Sequence, residues 1–493
     1  MIDQLEQAGV YSKETFGILE WFAFEDREFV ERALAQLRDL GVRHLRTGIS
    51  WADYVRPGGE EWIGWLFERI AAEDIELLPC FLYTPPSEGE VPRTSAPPKR
   101  LRAFADFVAL MIEDFGQHFE CVELWNEPNN FAEWDFTRDP EYTKFAEMII
   151  AAANWAHECD KTTVLGGMSP IDPGWLEHII GLGVLDYIDV LGVHGFPGTW
   201  EKSWDGWRAQ IGEIERVQDR YGYEQPIWMT EVGYSTRNHR EYQQLEVFVD
   251  ALEAPAERLY WYGLFDLPSE RSSILGFHLD EREYHCGIKR ADGRDKLLFR
   301  LLCDDGESAV REVVSWPTFD KAPPNDAVLI TGGAGFVGSN LADRLLSMGR
   351  QVVILDNLSR PGVEDNLRWL CDRFDDDLWI YTGDLRDPHL VQTSLQGVSH
   401  VFHLAGQTAV TTSLIDPIED FTANARGTLT LLEEMRRRDD SPSLVFSSTN
   451  KVYGDLKDVE LEARDSRYEP VDEAIANNGI DEDHPLELYN PYG

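Results

Sequence analysis

The chain has 493 residues, 43% of them hydrophobic, and a net charge of −44. This length predicts at least two domains, because one hydrophobic core rarely organises so many residues. The composition is typical of a globular protein and excludes a largely disordered one. So acidic a chain is not expected to bind nucleic acid or an anionic membrane surface.

Only ten of the 45 basic residues are lysines. An acidic, lysine-poor surface is typical of halophilic proteins, whose self-repulsion is screened by salt; an ordinary acidic protein is the alternative. The six cysteines are scattered, without a CxxC pair or clustering with histidine, so we expect reduced thiols and no metal site. No secretory signal or bilayer-spanning apolar run is present, which predicts a cytoplasmic protein.

Residues 1–316 alternate strand-like apolar runs with amphipathic helical patterns, which indicates repeated βα units. Eight such units in about 300 residues is the number found in a TIM barrel, whose functional residues lie at the carboxyl ends of the strands. The predicted strands are Phe16–Trp21, His44–Trp51, Ile75–Thr84, Cys121–Trp125, Thr162–Met168, Asp189–His194, Ile227–Val232 and Arg258–Phe265.

A proline-rich linker is predicted over residues 317–325. Residues 326–493 then begin with a strand over Ala327–Thr331, a glycine-rich turn, a helical pattern and a second strand over Gln351–Leu355. This βαβ order indicates a Rossmann-type unit. The predicted fold class is therefore α/β, a (β/α)8 TIM barrel followed by a partial Rossmann-type NAD-binding domain.

Two glutamates stand at the ends of predicted barrel strands. Glu127 follows the fourth strand within Asn126-Glu127-Pro128, and Glu231 lies near the end of the seventh. In retaining glycoside hydrolysis, one carboxylic acid protonates the leaving oxygen while a second carboxylate, about 5–5.5 Å away, attacks the anomeric carbon. Residues so distant in sequence meet only if the fold brings the strand ends together, as a barrel does.

These two stretches resemble the strand-four and strand-seven signatures of the retaining glycoside hydrolases of the large TIM-barrel clan, which includes β-xylosidases and β-glucosidases. The resemblance implies that Glu127 is the acid/base and Glu231 the nucleophile. It also implies that Asn126 hydrogen-bonds the sugar 2-hydroxyl. A surface ion-pair role is the alternative for a single strand-end glutamate.

Other strand ends supply candidate substrate-binding residues. Arg46 is predicted to bind the nucleophile and keep its pKa low, with an ordinary salt bridge as the alternative. His194 matches a polar position in many relatives, but a structural histidine explains it equally well. Trp261 or Tyr262 is predicted to form the apolar floor on which a sugar ring stacks. Further candidate platforms, each also compatible with a core position, are Trp51 and Trp125.

The glycine-rich turn has the spacing GxxGxxG between a strand and a helix, and an aspartate ends the next strand. Such glycines allow a tight turn and close approach of the backbone to a pyrophosphate at a helix N-terminus. Asp356 is expected to accept hydrogen bonds from the adenosine ribose and to repel a 2′-phosphate, which favours NAD over NADP. The predicted cofactor-binding residues of this region are Gly332, Gly335, Phe336, Val337, Gly338, Asp356 and Asn357.

This spacing resembles that of short-chain dehydrogenase/reductases, and three further segments extend the resemblance to the extended members of that family. Residues 383–387 (GDLRD) resemble their adenine-contacting segment, which adds Asp384 and Leu385 to the cofactor site. Residues 403–407 (HLAGQ) resemble the loop that contributes Ala405 and Gly406. The wording STNKVYG at 448–454 is most similar to the CDP-paratose 2-epimerases and implies that Thr449 is catalytic. Expected neighbours of the nucleotide-sugar pocket are Gln407, Thr411 and Thr412.

Residues 490–493 (NPYG) match the start of the PYGxSK segment of that family, which makes Tyr492 the candidate catalytic base. The lysine of that segment would lie beyond Gly493, so we expect this domain to be incomplete and inactive in epimerisation. A literal YxxxK at Tyr453–Lys457 matches a non-catalytic stretch of the family.

Taken together, the sequence predicts a retaining glycosidase barrel over residues 1–316 joined to an NAD-dependent nucleotide-sugar epimerase domain over residues 326–493. The alternative is an epimerase with a non-catalytic, carbohydrate-binding barrel. The expected substrates are a small-molecule glycoside and a CDP- or UDP-sugar. The resemblance also implies a homodimer formed through two helices of the second domain.

Overall fold

The computed structural model describes residues 15–201, 203–268, 280–316, 323, 325–374 and 377–493. The chain divides into two compact units, Met1–Val314 and Ser315–Gly493. Most of the predicted linker lies outside the described residues, which include only Pro323 and Asn325 of it. Each unit is described by itself below.

The first unit is a closed barrel of eight parallel strands that pair in chain order, with the eighth strand pairing with the first. The strands are β1 (Phe16–Leu19), β2 (His44–Ser50), β3 (Glu76–Leu82), β4 (Cys121–Leu124), β5 (Thr162–Met168), β6 (Val190–Gly195), β7 (Ile227–Val232) and β8 (Arg258–Tyr262). The predicted barrel is confirmed. The main difference is that β8 ends at Tyr262, whereas the sequence predicted a strand reaching Phe265.

Helices follow the strands around the barrel. They are α1 (Arg27–Leu40), α2 (Trp51–Tyr54), α3 (Gly59–Ala71), α4 (Arg102–Phe115), α5 (Thr143–Glu158), α6 (Pro173–Gly181), α7 (Trp207–Tyr221), α8 (Glu241–Leu252), α9 (Leu297–Asp305) and α10 (Glu307–Ser315). Helix α1 shows how the sequence defines them. The Asp26 carboxylate caps its first turn by accepting from the Phe29 amide, and Gly41 ends it in the left-handed conformation. Its apolar stripe, which includes Val30 and Leu34, is buried.

The second unit contains a five-stranded parallel sheet in the order β11-β10-β9-β12-β13. Its strands are β9 (Ala327–Thr331), β10 (Val352–Asp356), β11 (Leu378–Thr382), β12 (Val398–His403) and β13 (Ser443–Phe446). The strand order reverses between β9 and β12. In open parallel sheets, ligands bind at the carboxyl ends of the strands on either side of such a switch point. This Rossmann-like sheet confirms the second half of the predicted fold class.

Helices connect these strands, and a short hairpin follows them. The helices are α11 (Phe336–Ser347), α12 (Val363–Cys371), α13 (Pro388–Ser394), α14 (Val410–Ile415), α15 (Pro417–Phe421), α16 (Gly427–Arg436) and α17 (Glu473–Asn478). The hairpin strands β14 (Leu461–Ala463) and β15 (Tyr468–Pro470) are antiparallel. Within the described part of the chain, no helix has the length and apolar character needed to cross a membrane.

Candidate functional site

A cavity of about 880 Å³ opens at the carboxyl ends of the barrel strands. Both predicted catalytic glutamates, Glu127 and Glu231, line it. Aromatic side chains form much of the remaining wall, as is common for sugar-binding sites, where rings stack on the apolar faces of sugars. The lining aromatic residues are Trp21, Phe22, Trp62, Tyr83, Phe131, Phe136, Phe196, Trp200 and Tyr262.

The backbone turns sharply after β4, and this turn positions the first glutamate. Trp125 and Glu127 have φ angles of 71° and 38°, in a region that residues with side chains seldom occupy. Hydrogen bonds hold Trp125 in place, from its amide to the Phe81 carbonyl (2.9 Å) and from its indole to the Glu133 carbonyl (3.0 Å). Strained backbone of this kind persists where the surroundings fix it, often at functional sites.

Glu127, His194 and Glu231 form a compact group. The His194 Nδ1 atom lies 2.9 Å from Glu127 Oε1 and 3.8 Å from Glu231 Oε2. One oxygen of each glutamate and a ring nitrogen all lie within 4.8 Å of one another. Two carboxylate oxygens and an imidazole nitrogen can also bind a divalent cation. The sequence analysis did not predict a cation site here. The neighbouring β5 makes room for the imidazole, since a Cβ at Gly167 would lie 2.1 Å from it.

Arg46 lies at the bottom of the site, fully buried, and its main partner is a residue that the sequence analysis missed. Its guanidinium forms two hydrogen bonds to Glu123, at 2.5 and 3.0 Å, and a longer one to Glu231, at 3.2 Å. It also donates to the Asn126 Oδ1 atom at 2.8 Å. Burial alone would lower the pKa of Arg46, but the Glu123 carboxylate raises it above its usual value. The guanidinium therefore stays charged.

Arg46 contacts Glu231 and acts on it in the predicted direction, since its charge lowers the pKa of that carboxyl, but burial outweighs this effect. Burial raises the pKa of Glu231 to about 7, against the opposing charges of His194 and Arg46. Burial also acts on Glu127, but hydrogen bonds from His194 and Asn130 lower its pKa below the usual value. As pH falls, the pair therefore takes up one proton at about pH 7 and a second only at a lower pH.

Glu133 is a second residue that sequence reasoning missed. Its Oε1 atom accepts from the Asn126 side-chain amide at 3.1 Å and from the Tyr83 hydroxyl at 3.4 Å. Since Arg46 can only donate, the Asn126 oxygen must face Arg46 and its nitrogen Glu133. Burial, together with the nearby Glu127, raises the pKa of Glu133 well above its usual value. The raised pKa favours the neutral acid, and the hydrogen bond to Glu133 fixes the orientation of Asn126.

The sequence predicted Trp261 or Tyr262 as the apolar floor of the site, and the structure distinguishes between the two. Trp261 is fully buried and packs edge-on against Phe248 of α8, with ring centroids 5.3 Å apart. It therefore belongs to the layer between strand and helix, and its prediction as a substrate-binding residue is wrong for this structure. Tyr262 lines the cavity instead, because successive residues of a strand point to opposite faces. Trp51 and Trp125 are also buried within the barrel unit.

In the second unit, the glycine-rich turn lies at the switch point between β9 and β12. Gly332 has a φ of 71°, and a Cβ there would lie 2.7 Å from the Ala405 amide nitrogen. Only glycine allows this approach, which brings the turn against the predicted loop of Ala405 and Gly406. Gly335 precedes the first residue of α11, and Gly338 lies in its first turn. Phe336 and Val337 begin α11 and are exposed.

The predicted ribose-binding carboxylate ends β10 and is fixed by backbone amides. Asp356 accepts hydrogen bonds from the amides of Ala334 (3.0 Å) and Leu358 (2.9 Å). Burial raises its pKa above the usual value. Asn357 donates to Asp384 at 2.9 Å, which joins two predicted cofactor segments. Leu385, also predicted to bind cofactor, places its side chain in the hydrophobic core of the unit.

The remaining predicted residues of the second unit lie in two regions, one around Gln407 and one around Thr449. Gln407 is held by a network with Asn424 and Asp420, at 2.7 and 2.8 Å, while Thr411 and Thr412 lie on α14. Thr449 accepts from the Lys451 amide at 3.2 Å. The chain end returns to this stretch, since a Cβ at Gly493 would lie 2.9 Å from the Lys451 carbonyl oxygen. The structure thus brings the segments of Thr449 and Tyr492 together.

The second unit is similar in sequence to epimerases and dehydratases. Residues 329–471 match the family model of GDP-mannose 4,6 dehydratase. CDP-paratose 2-epimerase of Salmonella typhi is 44% identical over 168 residues, which are 34% of this chain and 48% of that protein. UDP-glucose 4-epimerase of Haemophilus influenzae is 38% identical over 135 residues, 27% of this chain and 39% of that protein. The chain thus spans about half the length, or less, of these relatives.

The barrel unit has a structural neighbour among the glycoside hydrolases. A family 39 glycoside hydrolase from Bacteroides cellulosilyticus WH2 superimposes with a TM-score of 0.45 and 16% identity, covering 61% of this chain and 65% of that chain.

Proposed function

We propose that the barrel is a retaining glycosidase that acts on a small-molecule β-glycoside. The observation that carries the proposal is the approach of Glu127 and Glu231, whose nearest oxygens lie within 4.8 Å across the cavity. Retaining enzymes place their two carboxyl groups about 5–5.5 Å apart, whereas inverting enzymes separate them by about 6.5–9.5 Å to admit a water. The turn after β4 and the buried Arg46 fix this distance.

In the proposed reaction, Glu127 gives its proton to the leaving oxygen while Glu231 attacks the anomeric carbon and forms a glycosyl ester. Water then attacks the same carbon, Glu127 takes the water proton, and the Glu231 carboxylate leaves. The cycle starts from one proton on the pair, carried by Glu127. In the empty site the raised pKa of Glu231 and the lowered pKa of Glu127 place that proton on Glu231, so substrate binding must move it to Glu127. The singly protonated pair is lost as the pH rises through about 7, the pKa of Glu231. His194, which lies between the two carboxylates, orients Glu127.

The proposal predicts a stereochemical outcome. Hydrolysis of p-nitrophenyl β-xyloside or β-glucoside, followed by proton NMR at about pH 6, should show the β-anomer of the free sugar first and the α-anomer only after mutarotation. Appearance of the α-anomer first would contradict a retaining mechanism. Absence of hydrolysis across a panel of β-glycosides would favour the non-catalytic, carbohydrate-binding barrel.

We propose that the second unit binds NAD and is part of a nucleotide-sugar epimerase whose substrate is a CDP- or UDP-sugar. The support is the switch-point position of the Gly332 turn, the Asp356 carboxylate at the end of β10 and the similarity to CDP-paratose 2-epimerase. The turn and the N-terminus of α11 would hold the pyrophosphate. Bound NAD would accept and return the hydride of a sugar carbinol. A cytoplasmic, homodimeric protein is part of this proposal.

NAD binding is testable independently of epimerisation. Titration with NADH, followed by its fluorescence, should show binding, and NADPH should bind at least about tenfold more weakly because the Asp356 carboxylate opposes the 2′-phosphate. Asp356→Ser should reduce this preference. Asp439→Ser, which removes an exposed carboxylate that precedes β13 at the amino end of the sheet, serves as the matched control. Equal affinity for both cofactors in the unaltered protein would contradict the predicted role of Asp356.

A further inference from the structure

One aromatic residue at the barrel cavity is about half exposed to water. Phe131 lines the cavity, and 47% of its surface is exposed. Phe136, which also lines the cavity, packs edge-on against it with ring centroids 5.5 Å apart. Exposed aromatic surface in a cavity wall favours a ligand that covers it, because each ring removed from water contributes hydrophobic free energy.

The loop that carries this ring is firmly anchored. The Asn129 side chain accepts from the Ser169 amide and donates to the Pro170 carbonyl, both at 2.8 Å, which ties the loop to the end of β5. The Asn130 side chain accepts from the Ala132 amide at 3.1 Å. The residues on both sides of Phe131 are therefore fixed. Little conformational entropy of this loop is lost when a ligand stacks on the ring.

The same loop contacts the proposed acid/base residue. Asn130 donates to Glu127 Oε2 at 2.8 Å, and Phe131 follows it in the chain. An acid/base residue gives its proton to the leaving oxygen, so the leaving group lies on its side of the scissile bond. Because Phe131 follows a residue that contacts Glu127 and lines the same cavity, this adjacency favours the aglycone side of the scissile bond as the place of the two phenylalanines.

We propose that Phe131, supported by Phe136, forms the aglycone subsite, and that the preferred substrates carry an aglycone with a flat apolar face, such as an aryl group. This inference rests on the proposed glycosidase function and specifies its substrate class. A polar or absent aglycone would leave the Phe131 ring exposed. The subsite should therefore affect departure of the aglycone and leave hydrolysis of the glycosyl ester unchanged, since the aglycone has left by then.

The test compares two substrates of the same sugar that differ only in the leaving group. A p-nitrophenyl β-glycoside has an aryl aglycone, whereas the β-glycosyl fluoride has none. Phe131→Ala should lower the ratio of kcat/KM for the aryl glycoside to kcat/KM for the fluoride by about tenfold, the scale of one aromatic stacking contact. Phe131→Trp should keep the ratio close to that of the unaltered protein.

Trp155→Ala is the matched control, because Trp155 on α5 is 38% exposed and is not among the residues that line the cavity. Its ratio should stay unchanged. A ratio that is also unchanged in Phe131→Ala, or an equal loss with both substrates, would overturn the aglycone subsite. Failure of the unaltered protein to hydrolyse any glycosyl fluoride would instead overturn the glycosidase function itself. The two failures are thus distinguishable.

Discussion

Replacing Glu231 with glycine is expected to lower kcat for aryl β-glycosides by about 10⁴-fold or more, the scale of loss on removing a catalytic nucleophile. The physical reason is that neither of the carboxyl groups beside it in the hydrogen-bonded network is free to replace it. Glu127 is held by His194 and Asn130, and Glu133 accepts from Asn126. Rates should be measured near pH 6, where the pair of glutamates retains its one proton.

Azide distinguishes a lost nucleophile from a damaged fold. In Glu231→Gly, azide can occupy the space left by the carboxylate, attack the anomeric carbon from that side and release the aglycone, giving an α-glycosyl azide. Glu201→Gly is the matched control, since Glu201 lines the same cavity and should give no azide product. Full activity of Glu231→Gly without azide would exclude the nucleophile assignment. Rescue with a β-glycosyl azide would also contradict it.

Several residues show how much of this site could be predicted from the sequence. The eight βα units and the strand-end positions of Glu127 and Glu231 were predictable, because periodicity marks strands and the Asn-Glu-Pro element is specific. Glu123 was missed, although one signal was present. It lies within the short, apolar β4, and a carboxylate buried in a strand requires a cation as partner. No sequence pattern identifies that cation as Arg46.

The error at Trp261 has a different physical cause. Which face of β8 a residue occupies depends on strand register, and a one-residue shift reverses every side chain. β8 pairs with β1 in regular register, so its side chains alternate, with Tyr260 and Tyr262 on the inner face and Trp261 on the side of α8. Because Trp261 and Tyr262 are both aromatic, the sequence alone does not tell which of them faces the cavity. The role of Glu133 also depends on tertiary structure, because the loop after β4 folds back to bring it to Asn126.

Replacing Arg46 with methionine is expected to destabilise the barrel by about 3–5 kcal/mol, the typical cost of removing one partner of a buried ion pair. Arg46 is fully buried, and its loss leaves the Glu123 and Glu231 carboxylates without their cation. Because Glu231, whose pKa is about 7, is neutral at pH 5 and charged at pH 8, the loss should be smaller at pH 5 than at pH 8. Urea unfolding followed by tryptophan fluorescence reports mainly on the barrel, since only Trp316, Trp369 and Trp379 lie outside Met1–Val314.

The double variant Arg46→Met/Glu123→Met separates charge pairing from loss of packing. Removing both partners of a buried pair costs far less than removing one, and apolar replacements are often neutral. The double variant should therefore recover most of the lost stability while leaving Glu231 and Asn126 without the guanidinium. If stability returns and glycosidase activity does not, Arg46 contributes to the alignment of the site as well as to the fold. Equal stability of the single and double variants would show that the Arg46–Glu123 pair does not hold the barrel interior together.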